Sequence, residues 1–358
     1  MLHALIMAGG TGTRLWPMSR RTCPKQCLAL TSPQTLVQMA AERISARVPP
    51  ECILVITNPV QADLIREQLP QLPPENIIEE PCARGSATCI GLGALLVEHV
   101  DPEAPMIVLS ADHVIQPTDR FLQCVDAARQ AAVERERLVV FGIKPRGPSP
   151  EFGYIHRGQQ ADQIDGIKVY HVAGFKEKPA PAVAQQFLDS GEYYWNSGMF
   201  LWTVPAILKA LKQHMPMLYS ALVSLRPAIG TDRQHIALAQ QYEPLKSNTI
   251  DYGVMEKADN VAVVEADFEW DDIGTWPAVA AYHLADASGN VVLGQAELLD
   301  AKNCIVRTED GHLIGVVGVE GLVIVHTPDA TLVCPRDRAG QVRELVEQMK
   351  RNGRTRWL

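Results

Sequence analysis

Three glycines in four positions, Gly9, Gly10 and Gly12, follow a short apolar run and lead through Thr11 and Thr13 to Arg14. Glycine has no Cβ, so such a loop brings backbone close to a ligand and can turn its N–H groups toward an anion. Arg14 and then Lys25, in Pro24-Lys25-Gln26, add cations on the same stretch. The spacing excludes a Walker A loop, which needs GxxxxGK[ST]. A dinucleotide fingerprint fails as well. GxGxxG would put glycine where Leu15 stands, and no acid follows about 20 residues on, where Leu28–Thr31 stand. An anion-binding loop is what remains, since a bare turn needs neither three glycines nor the trailing Pro-Lys-Gln.

Further along, Ser110-Ala111-Asp112-His113 ends an apolar run, Met106–Leu109. Trp270-Asp271-Asp272-Ile273-Gly274-Thr275-Trp276 holds a second acidic pair. Two carboxylates far apart in sequence can meet around one Mg2+, which takes one or two carboxylates and completes its shell with water and substrate phosphate. In Phe175-Lys176-Glu177-Lys178-Pro179, Glu177 can accept hydrogen bonds from sugar hydroxyls and Lys178 can neutralise a phosphate. Phe152-Gly153-Tyr154-Ile155 and Trp195-Asn196-Ser197-Gly198-Met199-Phe200 set Gly or Asn among aromatics, where backbone or amide meets a polar ligand inside an apolar wall. Each has a plainer alternative: a cap, a strand end or a turn. His113 suits support of a turn better than catalysis, and Cys23 and Cys27, flanking Lys25, suit packing better than reactivity.

The elements that must position these residues alternate. Strands are expected at Ala4–Ala8, Ile53–Thr57, Met106–Ser110 and Leu138–Ile143. Leu36, Met39, Ala40 and Ile44 fit one helix with Arg43 on its edge, and Ala87–His99 and Phe121–Glu134 fit two more. This alternation by itself argues for a parallel sheet covered on both faces. After the Pro145–Pro150 breaker come a strand at Val169–Phe175, a helix near Ala182–Leu188, a strand around Met199–Thr203 and a helix from Pro205. Past Ser288–Asn290 the texture changes. Val291–Leu293, Cys304–Val306, Leu313–Val317, Leu322–His326 and Ala330–Cys334 are short strand-like runs between Gly, Asp and Asn turns, closed by a helix at Val342–Met349.

Composition sets limits. A 358-residue chain with 47% hydrophobic residues builds an ordinary core in about two domains. With 33 Lys+Arg against 41 Asp+Glu, the net charge of −8 offers no basic excess for broad nucleic-acid binding. No run reaches the ~20 apolar residues of a membrane helix. The N-terminal MLHALIMAGG reads as a buried strand rather than a signal peptide. Eight cysteines without a CxxC fit reduced thiols in a cytoplasm better than a disulfide framework or a zinc site.

The ordered set of motifs resembles a known family. Gly9–Pro17 with Pro24-Lys25-Gln26 is similar to the signature of sugar-phosphate nucleotidylyltransferases. Glu80-Pro81-x-x-Arg84, the Asp112, Gly153, Glu177, Asn196 and Asp272 motifs, and the run Ile250-Asp251-Tyr252-Gly253-Val254-Met255-Glu256-Lys257 resemble the bacterial mannose-1-phosphate guanylyltransferases, over essentially the whole chain. The resemblance implies an α/β fold. A Rossmann-like nucleotidyltransferase domain with a mixed central sheet would occupy residues 1–287. A small all-β, left-handed β-helix-like domain with a terminal helix would occupy 288–358 and serve a homodimer. It implies that Asp112 and Asp272 hold Mg2+ and that Arg14 and Lys25 bind the nucleotide triphosphate. Lys178 would bind the sugar phosphate; Glu177, Asn196, Gly153 and Tyr154 would line the mannose. Ala8, Gly9, Gly10, Gly12 and Thr13, with Glu80, Pro81, Arg84, Gly85, Ser86 and Ala87, would contact the rest of the nucleotide.

The reaction so implied joins GTP and α-mannose 1-phosphate to give GDP-mannose and pyrophosphate. The alternatives are other pairs on the same scaffold (heptose 1-phosphate with GTP, glucose 1-phosphate with UTP or dTTP) or a regulatory subunit that binds nucleotide-sugar without turnover. The chain departs from the family pattern in three places. Gly85-Ser86 replaces the usual Asn-Thr, Cys23 and Cys27 replace aromatics, and Asp271 stands where Ser is common, leaving Asp271 and Asp272 both open as the metal ligand. Many relatives continue into a cupin-type isomerase domain; with the sequence ending at Leu358, isomerase activity is not expected.

Overall fold

The computed structural model describes all 358 residues. They form two compact units. The first comprises Met1–Gly9, Ala40–Ala62 and Leu69–Asp271; the second comprises Gly10–Met39, Asp63–Gln68 and Asp272–Leu358. Packing thus divides the chain differently from chain order: the signature loop after Gly9 belongs to the same unit as the C-terminal strands.

The first unit contains β1 (His3–Met7), β2 (Ile53–Thr57), β3 (Ile77–Glu79), β4 (Pro105–Ser110), β5 (Val114–Gln116), β6 (Leu138–Ile143), β7 (Tyr154–Ile164), β8 (Ile167–Lys176), β9 (Tyr193–Thr203), β10 (Val261–Ala266) and β11 (Glu269–Asp271). Nine of these build one sheet in the order β3-β2-β1-β4-β9-β6-β10-β8-β7. The alternation of strands and helices predicts parallel neighbours, and β1, β2, β3 and β4 follow it. The sheet as a whole is mixed. β9 runs antiparallel between β4 and β6, and β7 and β8 add an antiparallel ribbon at one edge. The pattern argument misses this because β9 is buried along most of its length like a parallel strand. Helices Ser86–Val100 and Thr118–Arg135 follow strands as expected. The first is buried on nearly every side. Leu5, Ile90, Leu92, Val140 and Trp202 belong to one large apolar cluster, each at most 1% exposed.

The second unit's C-terminal part is β-helix-like. β12 (Val291–Leu293), β14 (Ile305–Arg307) and β16 (Leu322–Thr327) pair in parallel, as do β13 (Gln295–Leu299) and β15 (Leu313–Val317). β17 (Ala330–Pro335) closes antiparallel on β16. Short strands that pair in parallel without intervening helices must stack as coils. Asp300, Asn303 and Asp310 take left-handed φ values of 53°, 52° and 55° at the corners, a conformation that short polar side chains tolerate. Asn290 is 2% exposed and starts the first coil. Its amide donates to the Ala301 carbonyl at 2.9 Å, and its Oδ1 accepts from the Cys304 amide at 2.9 Å. β13 has no sequence signature: Gln295 and Glu297 interrupt it, and only its pairing with β15 makes it a strand.

Candidate active site

The expected residues divide between the two units. In the first, Ala8 prolongs β1: its amide donates to the Ile56 carbonyl at 2.8 Å and its carbonyl accepts from Thr57 Oγ1 at 3.0 Å. Gly9 then leaves the sheet, and a Cβ there would meet nothing within 4 Å.

Gly153, Glu177, Asn196 and Asp251 come together. The Asn196 amide donates to the Gly153 carbonyl at 2.8 Å, and Asn196 Nδ2 donates to Asp251 Oδ1 at 2.7 Å. A Cβ on Gly153 would stand 2.2 Å from Glu177 Oε2, so a side chain there would displace that carboxylate. Lys178 Nζ lies 3.7 Å from Glu177 Oε1. Burial pushes the Asp251 carboxyl above the usual range, and burial together with the Asp251 charge does the same to Glu177. The result is a set of half-buried acceptors with an exposed cation at its rim, suited to hydroxyls beside a phosphate. Lys178 precedes proline yet has φ 43°, and Ile273, after Asp272, has φ 44°. A residue before proline favours extended backbone, and a β-branched residue at positive φ is a genuine outlier. Such strain concentrates at functional loops. Tyr154 is fully buried, with its hydroxyl donating to the Ser149 carbonyl at 3.0 Å, so its side chain is taken up within the fold.

The Glu80–Ala87 segment is stitched to residues 248–250. The Asn248 amide donates to the Arg84 carbonyl at 3.1 Å, and the Ile250 amide donates to Ser86 Oγ at 3.0 Å. Gly85 has φ 82°, and a Cβ there would stand 2.1 Å from the Asn248 carbonyl. The Gly85-Ser86 departure from the family pattern therefore fits this particular contact. Arg84 donates to the carbonyls of Tyr242 (3.0 Å) and Glu243 (2.8 Å) at the end of helix Gln234–Tyr242, where a cation is favoured. Glu80 is 9% exposed beside the buried Tyr242 hydroxyl, and burial raises its pKa to about 7 although Tyr242 opposes the shift. Pro81 and Ala87 complete the segment, Ala87 at the start of helix Ser86–Val100.

Asp112 follows β4, at the carboxyl end of a sheet strand where ligands of open α/β sheets bind. Its Oδ1 accepts from Ser110 Oγ at 2.5 Å. His113 is structural: its Nδ1 accepts from Trp270 Nε1 at 3.1 Å and its carbonyl accepts from Arg43 Nη2 at 3.1 Å. Arg43, expected at a helix edge, is 7% exposed, and burial lowers its pKa to about 10. A cation at helical spacing with Leu36, Met39, Ala40 and Ile44 was the available signal for this buried strut. Asp251 is the other residue that sequence reasoning left out of the site. It lies in a quoted motif and starts a π-helical turn, Asp251–Met255, a geometry frequent at functional sites.

In the second unit, Pro24-Lys25-Gln26 packs directly on the glycine loop. Gly12 has φ 63°, and a Cβ there would stand 2.3 Å from Lys25 Cβ. Lys25 is 5% exposed and donates from Nζ to the Asp272 carbonyl, while Gln26 Nε2 donates to the Gly10 carbonyl at 3.1 Å. A Cβ on Gly10 would meet nothing within 4 Å. One on Gly274 would stand 3.5–3.6 Å from the Asp272 carboxylate oxygens and 3.6 Å from Arg14 Nη1, so both charged groups border the space that glycine leaves open. Thr13 and Arg14 lie in the short turn Thr13–Leu15 after Gly12. Cys27 is buried, which pushes its thiol up to about 12, and burial also raises that of Cys23, so neither is activated by the neighbouring lysine.

Comparison with known proteins supplies the affiliation. A family model described as nucleotidyl transferase matches residues 3–289, and one described as MannoseP isomerase/GMP-like beta-helix domain matches 289–349. A mannose-1-phosphate guanylyltransferase of Escherichia coli (strain K12) is 38% identical over 358 residues, 99% of this chain and 74% of that protein. The alginate biosynthesis protein AlgA of Pseudomonas aeruginosa is 35% identical over 354 residues, 98% of this chain and 73% of that protein. A crystal structure from Thermus thermophilus, described as a mannose-1-phosphate geranyltransferase, superposes with a TM-score of 0.86 at 33% identity, over 98% of this chain and 99% of that one. With these matches over its whole length, the chain belongs to the nucleotidyl transferase family, in the group of the mannose-1-phosphate guanylyltransferases.

Proposed function

We propose that the chain transfers GMP from GTP to α-mannose 1-phosphate, giving GDP-mannose and pyrophosphate. The observation that carries this reading is the cluster of Glu177, Asn196 and Asp251 with Lys178 at its rim: acceptors for sugar hydroxyls beside a cation for a phosphate. The full-length similarity to proteins of that name supports it. A sugar phosphate oxygen attacks the α-phosphorus of GTP, the new P–O bond forms, and the bond to the β-phosphate oxygen breaks in line. A phosphate monoester has its second pKa near 6 and is mostly dianionic at pH 7, so no general base is required. The obstacle is repulsion between anions. Arg14 and Lys25 hold the triphosphate and Lys178 holds the sugar phosphate, with Gly153 and Tyr154 as the backbone side of the mannose site. Ala8, Gly9, Gly10, Gly12 and Thr13 present backbone to the nucleotide. The segment Glu80, Pro81, Arg84, Gly85, Ser86 and Ala87 borders the base.

The residues fit Mg2+. The ribbon of β5 and β11 pairs Val114 with Asp271; Asp112 lies two residues before it and Asp272 one residue after. Carboxylates supply the hard oxygens that Mg2+ takes. Asp112 and Asp272 would hold the ion. When bound, it supplies charge stabilisation on the phosphate oxygens.

We further assign the chemistry to residues 1–287 and the β-helix-like part, 288–358, to a homodimer in the cytoplasm. Leu299, Leu313 and Val317 support the dimer: they lie on β13 and β15 and are 61%, 57% and 66% exposed. Eight free thiols support a reducing compartment. No helix is long and apolar enough to cross a membrane. The test is pyrophosphate release with Mg2+, crossing GTP, ATP, UTP and dTTP with mannose 1-phosphate and glucose 1-phosphate. Release with GTP and mannose 1-phosphate is expected. Release only with another pair moves the substrate assignment, and silence across the grid with nucleotide still bound removes the catalytic reading.

A further inference from the structure

Four rings of the first unit, His113, Phe152, Trp195 and Trp270, have no part in the steps proposed above, yet each stands one position from a residue that has. His113 follows Asp112, Phe152 precedes Gly153, Trp195 precedes Asn196, and Trp270 precedes Asp271-Asp272. Trp270 joins them. It is the middle residue of β11, is 3% exposed and pairs in register with Ile115 of β5. Its Nε1 donates to His113 Nδ1 at 3.1 Å, and the two rings meet edge to face with centres 5.1 Å apart. Its ring meets Phe152 edge to face at 5.2 Å, and Phe152 packs on Trp195 at 4.9 Å. Its carbonyl accepts from Arg146 Nη2 at 2.8 Å.

These contacts do more than fill space. The indole nitrogens of Trp195 and Trp202 are buried without a hydrogen-bond partner, so burial in this unit does not by itself provide one. An indole N–H only donates, so His113 Nδ1 must accept, and the neutral imidazole carries its proton on Nε2. That nitrogen lies 3.9 Å from Asp112 Oδ1, so the positive end of the ring dipole lies on the side of the carboxylate. The His113 carbonyl is held from the other side by Arg43. A peptide unit is planar, so a ring locked in place leaves the next residue little freedom beyond its own φ and ψ.

We propose that Trp270 is a positioning residue for the transfer. Through His113 it sets the Asp112 carboxylate, through its own strand it sets the acids that follow, and through Phe152 it sets the sugar side at Gly153 and Asn196. The inference rests on the roles proposed above for those residues.

The test compares Trp270→Phe, which keeps an aromatic ring and removes the N–H, with Trp202→Phe, which removes an unpartnered buried indole from the large apolar cluster. Melting temperature checks folding in both. Binding of Mn2+, a paramagnetic stand-in for Mg2+, is read by water-proton relaxation with GTP present and no sugar phosphate, so that no turnover occurs. Trp270→Phe is expected to weaken Mn2+ binding and to lower kcat, each about tenfold, the size of one lost hydrogen bond, while the KM for GTP stays within twofold. Trp202→Phe should leave Mn2+ binding and kcat within twofold whatever its melting temperature. His113→Asn should match Trp270→Phe, and the double variant should be no worse than either, because both cut one link. If Trp270→Phe does not fold, Phe152→Leu at the half-buried end of the chain of rings should raise the KM for mannose 1-phosphate about tenfold and leave Mn2+ binding unchanged. Equal losses in the two tryptophan variants overturn the proposal, as do additive losses in the double variant or an unchanged KM in Phe152→Leu. A wild type that turns over no substrate pair, while Trp270→Phe still weakens Mn2+ binding, keeps the positioning role and loses the proposed reaction. Turnover in the wild type, with kcat and Mn2+ binding unchanged in Trp270→Phe, does the opposite.

Discussion

In the first unit Asp251, Glu177 and Asn196 are half-buried, with Asn196 tied to Asp251, whereas Arg21, Lys350 and Arg356 in the second stand exposed around an open cavity. The difference matches what the proposed roles ask of each group. A hydroxyl carries no charge, so it is held only by acceptors of fixed geometry, partly withdrawn from water; the raised carboxyl pKa values of Asp251 and Glu177 are the cost of that withdrawal. The exposed cations, outside the proposed steps, keep their water and act only through a field that salt screens. The glycines divide the same way. A side chain at Gly153 would push the Glu177 carboxylate aside, while Gly9 and Gly10 face open space.

The largest effect expected is on the acids assigned to the metal. Asp112→Ala or Asp272→Ala should lower kcat/KM about 10²- to 10³-fold, the loss usual for one transition-state electrostatic partner, with circular dichroism unchanged. A near-wild-type rate in either variant removes that residue from the assignment, and Asp271→Ala, expected to be mild, decides between the neighbouring acids.

The acceptor cluster gives the next largest effect. Asp251→Asn keeps an oxygen for the Asn196 amide and removes the charge. The KM for mannose 1-phosphate should rise about 10- to 100-fold, matching a lost hydrogen bond to a charged acceptor, while the KM for GTP holds. Lys178→Ala should show the same split. A loss confined to GTP would contradict the contrast between the two regions.

Glu80 sharpens it through pH. Its folded-state carboxyl keeps a proton to about pH 7, whereas the unfolded chain releases it near 4.5. The native state therefore binds more protons across that window, so the ligand-free protein loses stability as pH rises from 4.5 to 7 and does not regain it above. Glu80→Gln should remove this dependence and stabilise the ligand-free protein at pH 8 by up to about 3 kcal/mol, measured by urea denaturation.

The smallest effect is expected at Cys23. Its thiol is raised by burial rather than lowered by Lys25. Cys23→Ser should change kcat/KM less than twofold, and alkylation of the wild-type thiol at pH 7 should be slow. Rapid alkylation with loss of activity would reverse the packing assignment.

The legible parts of the molecule are those whose signal is local. The glycine loop, the acids at strand ends and most strands and helices of the first half could be read because spacing, periodicity and turn residues act within a few positions. Ile53–Thr57 and Leu138–Ile143 have the expected bounds. The parallel expectation for the sheet did not extend to β9, since a buried strand has the same composition whichever way it runs. β13 and the short β5–β11 ribbon were invisible for a related reason: each becomes a strand only through its partner.

By itself, then, the sequence determined the anion loop, the candidate acids and cations, and the change from an α/β to an all-β texture near Ser288. Each of these depends on residue type and near-neighbour spacing. Only the tertiary structure decided that Asp251 joins Glu177 and Asn196, that Gly85 must clear the Asn248 carbonyl, and that Arg43 is a buried strut under His113. It also decided that the signature loop shares a compact unit and a cavity with the C-terminal turn, whose Trp357 lies 341 residues beyond Trp16. Those facts are contacts between segments remote in sequence, set by how sheet, coils and helices pack, and no local pattern encodes them.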